Sequence, residues 1–179
     1  FRKKNVEVLL LSDRIDEWLV THLTEFKGKK LQSVAKGDLD LGALEDQEER
    51  ATAERAKAEH KELAERIQKV LGERVKEVRG TQRLTDSPAC LIADEHDMGM
   101  NLERLLKAAG RKVPSVKPIL EINPGHALVQ ALAGESDAAR FADRAQVLFD
   151  QAVLSEGGQL EDPAAFVQRL NRLLMPATG

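Results

Sequence analysis

The C-terminal stretch constrains this chain more than any other. Residues 138–175 hold two apolar patterns of helical length, joined by the short turn Gly157-Gly158-Gln159-Leu160-Glu161-Asp162-Pro163. In the first, Phe141, Ala145, Leu148, Phe149 and Ala152 recur at the three-and-four spacing that places them on one helix face. Ala138, Ala142, Val147, Val153 and Leu154 are apolar as well, so the pattern covers more than one side. A surface helix needs a single apolar stripe, and a wider one implies packing on two partners. The second pattern opens with Asp162 as N-cap and Pro163 at the first helical position. Phe166, Leu170, Leu173 and Leu174 follow on one flank, with Gln168, Arg169 and Arg172 on another. Such a pair is either half of a four-helix bundle completed by a second copy or a cap on its own domain's core. The pattern alone favours neither.

Upstream, residues 6–11 (VEVLLL) suit a short buried strand. Ser12 and Asp13 can cap a helix over 14–22, in which Ile15, Trp18, Leu19 and Leu23 recur at helical spacing. Gly28 lies in a basic turn, and residues 31–35 suit a second strand. This strand–helix–strand piece, residues 1–45, is too small to stand alone and reads as the end of a preceding α/β domain. Residues 36–45 read as a loop, and residues 46–71 as a long charged helix whose apolar seam is Leu63, Ile67, Val70 and Leu71. Strands are expected at 75–79, 89–93 and 118–122, with a helix over 97–109 and another opening at Asn123-Pro124. Residues 46–179 are therefore expected to form a second domain of the α+β class. It would consist of a small sheet, surrounding helices and the terminal helical pair.

Composition narrows the function. Aromatic residues make up 3% of the chain and tyrosine is absent, which argues against a stacking platform for single-stranded nucleic acid. A net charge of −3 and a pI near 5.9 argue against a phosphate-binding footprint, so no nucleic-acid partner is expected. No apolar run approaches membrane length, so no membrane partner is expected either. The single Cys90 excludes an internal disulfide and fits a reducing compartment. The chain starts on Phe1 rather than methionine, with no signal-peptide pattern, and reads as a piece of a longer protein.

Few residues offer chemistry. The run Asp94-Glu95-His96-Asp97 is the nearest approach to a metal site, and it supports an alternative reading as a small metal-dependent enzyme. Adjacent side chains on a strand-to-helix loop diverge, however, so a surface loop or helix N-cap is the better account. His126 sits beside apolar residues, as packed or hydrogen-bonded histidines do, and Cys90 lies in a strand run as a small hydrophobe. No glycine-rich phosphate loop and no G-x-S-x-G elbow is present. No catalytic, cofactor-binding or metal-ligating residue is assigned. The helix over 97–109 carries the stripe Met98, Leu102, Leu105 and Leu106, which fits core packing or an adaptable apolar binding surface. Trp18, the only tryptophan, raises the same question.

Four segments, EVLLLSDRIDEW, LGERVKEVRGTQRLTDSPACLIA, LEINPGHALV and LEDP before the final helix, occur in an order that resembles the heat-shock protein 90 chaperones, in particular their bacterial members. The resemblance implies the end of a middle domain at residues 1–45 followed by a C-terminal dimerisation domain at 46–179. It implies the homodimerising and client-binding part of an ATP-dependent chaperone of the stress response, located in the cytoplasm. ATP and magnesium would bind in an N-terminal domain of the longer protein, leaving these residues without cofactor or ATPase activity. Partners would be a second copy, partly folded client proteins and other chaperones. The terminal helices would form the dimer bundle, with Phe141, Leu148, Phe149, Ala152, Phe166, Leu170 and Leu174 at the interface. Trp18, Met98, Leu102, Leu105 and Leu106 would contact clients.

Overall fold

The computed structural model describes residues 1, 5–11, 13, 15–37, 60–81, 83–94, 97, 100–114 and 116–175. In chain order its elements are α1 (Asp16–His22), β1 (Glu25–Phe26), β2 (Lys29–Lys30), α2 (Lys61–Leu71), β3 (Glu77–Gly80), β4 (Ala89–Ile92), α3 (Met100–Ala108), β5 (Ile119–Ile122), α4 (Ala127–Ala133), α5 (Ala138–Ser155) and α6 (Pro163–Leu174). The chain divides into two units: Phe1–Asp46 with Ile92–Val116, and Gln47–Leu91 with Lys117–Gly179. The α+β class follows from these elements. The stretch Ile92–Val116, which sequence reading gave to the second domain, groups with the first unit.

In the first unit, α1 packs against α3. β1 and β2 form a two-residue hairpin pairing Glu25 with Lys30 and Phe26 with Lys29. Its turn residues Lys27 and Gly28 have φ of 49° and 75°, the left-handed pair that matches the twist of a tight hairpin. Lys36 bridges in parallel to Ala93, and Lys36 Nζ donates to the Asp97 carbonyl at 3.0 Å. On α3, buried Glu103 pairs with Lys107 one turn on and accepts the Val116 amide at 3.3 Å.

Two expectations for this unit are corrected. Residues 6–11 and 31–35 form no strand. A strand needs a neighbouring strand to satisfy its backbone, and among the described residues no strand pairs with 6–11; Leu10 is 90% exposed. The Leu31 amide instead donates to the Thr24 carbonyl at 2.9 Å, which continues the hairpin that β1 and β2 began.

The second unit is built on a three-stranded sheet of order β3-β5-β4. β3 and β5 run parallel, with Val78 opposite Leu120 and Arg79 opposite Glu121. All four residues of central β5 are buried, as expected of a strand covered on both faces. α2 buries Leu63, Ala64, Ile67 and Leu71 and packs on β3 and α5. Residues 46–59, which sequence reading gave to the same helix, lie outside the described residues. α2 ends at Gly72, whose φ of 54° turns the chain into a short 3-10 stretch, Gly72–Arg74.

Helix α4 starts later than expected. Its N-cap is His126, whose Nδ1 accepts the Leu128 amide at 3.1 Å. Asn123 is occupied elsewhere. Its amide nitrogen donates to the carbonyls of Thr85 and Ser87 and its oxygen accepts the Gly125 amide, so it pins two loops. The terminal pair forms as its pattern dictates. Asp162 Oδ1 caps α6 by accepting the Ala165 amide at 2.9 Å, with Pro163 directly after it. Asp137 caps α5 in the same way through the Arg140 amide at 2.7 Å.

Candidate interaction surfaces

Helix α5 is apolar on more than one side because three neighbouring helices use it. Phe141, Ala145, Val147, Leu148, Phe149 and Ala152 are buried, and α2, α4 and α6 all pack on it. Arg66 lies over the Phe141 ring at 4.1 Å and Arg74 over the Phe149 ring at 4.4 Å, so cations cover the aromatic faces. Of the seven expected interface residues, Phe141, Leu148, Phe149 and Ala152 thus lie in the chain's own packing, with little surface left uncovered. Phe166 and Leu170 on α6 are half-buried and Leu174 is 74% exposed.

Helix α6 is the contrasting case. It buries no residue, although Phe166, Val167, Leu170, Leu173 and Leu174 are large apolar side chains among its 12 residues. Val167 is 51% exposed, and Val167 and Leu174 lie two turns apart on one stripe. Leu154, near the end of α5, and Met175, next to Leu174, are exposed as well. Sequence reading missed Val167. The signal was its seven-residue spacing to Leu174, which places it on the flank already read as apolar.

Ion pairs hold α6 on α5. Arg172 Nε and Nη2 donate to Asp143 Oδ2 and Oδ1, both at 2.8 Å, in a bidentate fork. The hydrogen bond from Arg172 holds the Asp143 carboxyl below its ordinary range, against a partial opposing effect of burial. Arg169 Nη1 lies 3.7 Å from Oδ2 of buried Asp150, whose Oδ1 takes the stronger contact from Arg74 at 2.6 Å. Asp143 meets the later arginine and Asp150 the earlier one, so the two helices run antiparallel.

The first unit carries the other candidate surface. Trp18 on α1 is 57% exposed, with Leu19 on the same helix and Ile15 at its N-cap also exposed. Its ring lies 4.6 Å from that of His22, whose Nδ1 is 3.0 Å from the Trp18 carbonyl oxygen. Leu102, Leu105 and Leu106 on α3 are all half-buried. Met98, the fourth residue of the expected stripe, lies outside the described residues.

The titratable groups converge less. Glu95 and His96 lie outside the described residues, and among those described no three His, Cys, Asp or Glu side chains could hold a metal ion. Cys90 is partly buried in β4, and burial pushes its thiol up to about 12, with Glu121 adding repulsion and Arg83 opposing it. Among the described residues no helix is long and apolar enough to cross a membrane.

A small three-stranded sheet flanked by helices, with exposed apolar residues on α6, defines the second unit as an α+β module. The family model described as Hsp90 protein matches residues 1–179. Chaperone protein HtpG of Nitrosospira multiformis is 62% identical over 179 residues, covering 100% of this chain and 28% of that protein. The HtpG proteins of Chromobacterium violaceum and Aromatoleum aromaticum are 60% and 62% identical over 175 and 179 residues. Those matches cover 98% and 100% of this chain, and 28% and 27% of the two relatives. The chain belongs to the Hsp90 protein family, and it spans little more than a quarter of the length of these relatives.

Proposed function

We propose that this chain is the homodimerising and client-binding part of an ATP-dependent molecular chaperone of the bacterial cytoplasm. The observation that carries the assembly role is α6, an apolar helix with no buried residue, beside an α5 whose own faces are already covered. A second copy laying its own α6 against Val167, Leu170 and Leu174 would complete a four-helix bundle around a two-fold axis. Phe141, Leu148, Phe149 and Ala152 then serve as the floor under α6 rather than as direct contacts. Sedimentation of the 179-residue chain over a dilution series tests this. A dimer at micromolar concentration that Val167→Asp with Leu174→Asp converts to a folded monomer supports the reading, and a native monomer throughout removes it.

The client role rests on the exposed face of α1 and the half-buried stripe of α3. Trp18 supplies a large apolar area with few rotamers to freeze, and Leu102, Leu105 and Leu106 continue apolar surface within the same unit. Met98 belongs to that stripe by spacing. The relatives bear the name chaperone, which fits recognition of apolar segments in partly folded proteins. Trp18→Ala should weaken capture of a partly unfolded protein without disturbing the dimer. On this reading nucleotide binding and hydrolysis belong to parts of the longer protein outside these residues, so calorimetry of this chain with magnesium-ATP should show no saturable heat.

A further inference from the structure

α6 gains little orientation from burial, because none of its residues is fully covered. Apolar contact is non-directional and would tolerate rotation of such a helix about its axis or sliding along α5. Directed contacts have to fix it. The described ones are the bidentate fork from Arg172 to Asp143 and the longer contact from Arg169 to Asp150. Arg169 and Arg172 are three residues apart on α6, hence on one face, and Asp143 and Asp150 are seven apart on α5, again on one face. A turn of α6 that moved one arginine off its carboxylate would move the other too. Asp150 is itself held from the far side by Arg74, so one end of the clamp is anchored in the body of the unit.

The outward stripe depends on that setting. Val167 and Leu174 are exposed while Arg169 and Arg172 reach α5, and the fork ties the inward face to the outward one through a helix of only 12 residues. We infer that Asp143 and Arg172 are positioning residues for self-association: their ion pair sets the rotation of α6 and so the apolar stripe offered to a second copy. This inference rests on the self-association reading above. It adds that dimer affinity is set by a contact made wholly within one protomer.

The test uses the 179-residue chain with three variants: Asp143→Asn, Arg172→Gln, and the exchange Asp143→Arg with Arg172→Asp. For each, the dimer dissociation constant is read by sedimentation equilibrium, and hydrogen exchange of the α6 amides is followed alongside thermal unfolding. Each single variant should weaken the dimer by about tenfold, the scale of one lost charge-assisted pair, while the midpoint of unfolding of the sheet unit moves little. The exchange variant should recover most of the affinity and restore α6 protection. A native dimer whose constant changes less than twofold in both single variants overturns the inference and leaves the dimer reading intact. Loss of affinity that the exchange does not restore also overturns it, since the individual charges rather than their pairing would then matter. A native chain that is monomeric at every concentration removes the dimer reading and this inference with it.

Discussion

Arg79 on β3 and Glu121 on β5 stand opposite each other in the parallel register, and Arg79 Nη2 donates to Glu121 Oε1 at 2.9 Å. Glu121 is buried on the central strand, where a lone carboxylate would be costly. Arg83 completes its neutralisation. Its Nε lies 2.6 Å from Glu121 Oε2 but off the N–H axis, so that contact is electrostatic attraction rather than a directed hydrogen bond. Glu121→Ala would leave two largely covered guanidinium groups without their carboxylate. The expected loss of stability is about 3–5 kcal/mol, measured by urea unfolding. A loss below about 1 kcal/mol would mean that water already solvates the cluster.

Gly158 follows α5 at the turn toward α6. A Cβ there would sit 2.8 Å from Val153 Cγ1 and 2.9 Å from the Val153 carbonyl oxygen. The backbone oxygen cannot rotate away, so Gly158→Ala should cost about 1–3 kcal/mol and loosen α6. Gly134 is the control. Its nearest atom would be the Gln130 carbonyl at 3.7 Å and its φ is −80°, so Gly134→Ala should be neutral or stabilising by up to about 1 kcal/mol. Equal midpoints of denaturation for the two variants would contradict this.

The Asp143–Arg172 fork gives α6 an acid limit. The folded carboxyl titrates below its ordinary value of 3.8 because Arg172 hydrogen-bonds the ionised form. A depressed folded pKa contributes stability that is fully present above the unfolded value and lost as pH falls through the folded one. The packing of α6 should therefore be unchanged from neutrality down to about pH 4 and weaken only below it. Asp143→Asn should flatten that part of the acid profile in a thermal-melt series. Glu73, held low by the hydrogen bond from Lys117, and Glu135, held low first by the Asp137 amide and then by Arg140, should retain the remaining acid sensitivity.

Cys90 should be inert in the folded chain. With its thiol pushed up to about 12, the thiolate fraction at neutral pH is about one part in a hundred thousand, against a few per cent for a free thiol. Labelling by a thiol reagent should accelerate about a thousandfold when the chain is unfolded in urea. Rapid labelling under native conditions would show that β4 opens locally.

Loss of the Asp162 cap tests how independent α6 is. Asp162→Ala removes the side-chain acceptor of the Ala165 amide and should cost about 1 kcal/mol. Hydrogen exchange should rise first at the N-terminal turn of α6, before any change in the sheet.

Local chemistry was sufficient for much of this architecture. The Asp162-Pro163 start of α6, the apolar face of α5, and the strands at 77–80, 89–92 and 119–122 follow from capping, periodicity and short apolar runs, which act over a few residues. Family membership was legible in the same way, in long segments kept in order. The residues that decide surface and pairing were not. Periodicity says which face of α5 is apolar, but only packing reveals that α2, α4 and α6 share it, so that Phe149 is buried while Val167 on the neighbouring helix stays open. Residues 6–11 have a strand's composition and no strand partner among the described residues, because composition cannot supply the second half of a ladder. Arg172 reaches back 29 residues to Asp143, and Arg79 lies 42 residues from Glu121. Sequence fixes which charges exist and which local elements carry them; the partner of each is settled only when the chain is folded, since desolvated charges are stable only against a neighbour that the tertiary structure brings to them.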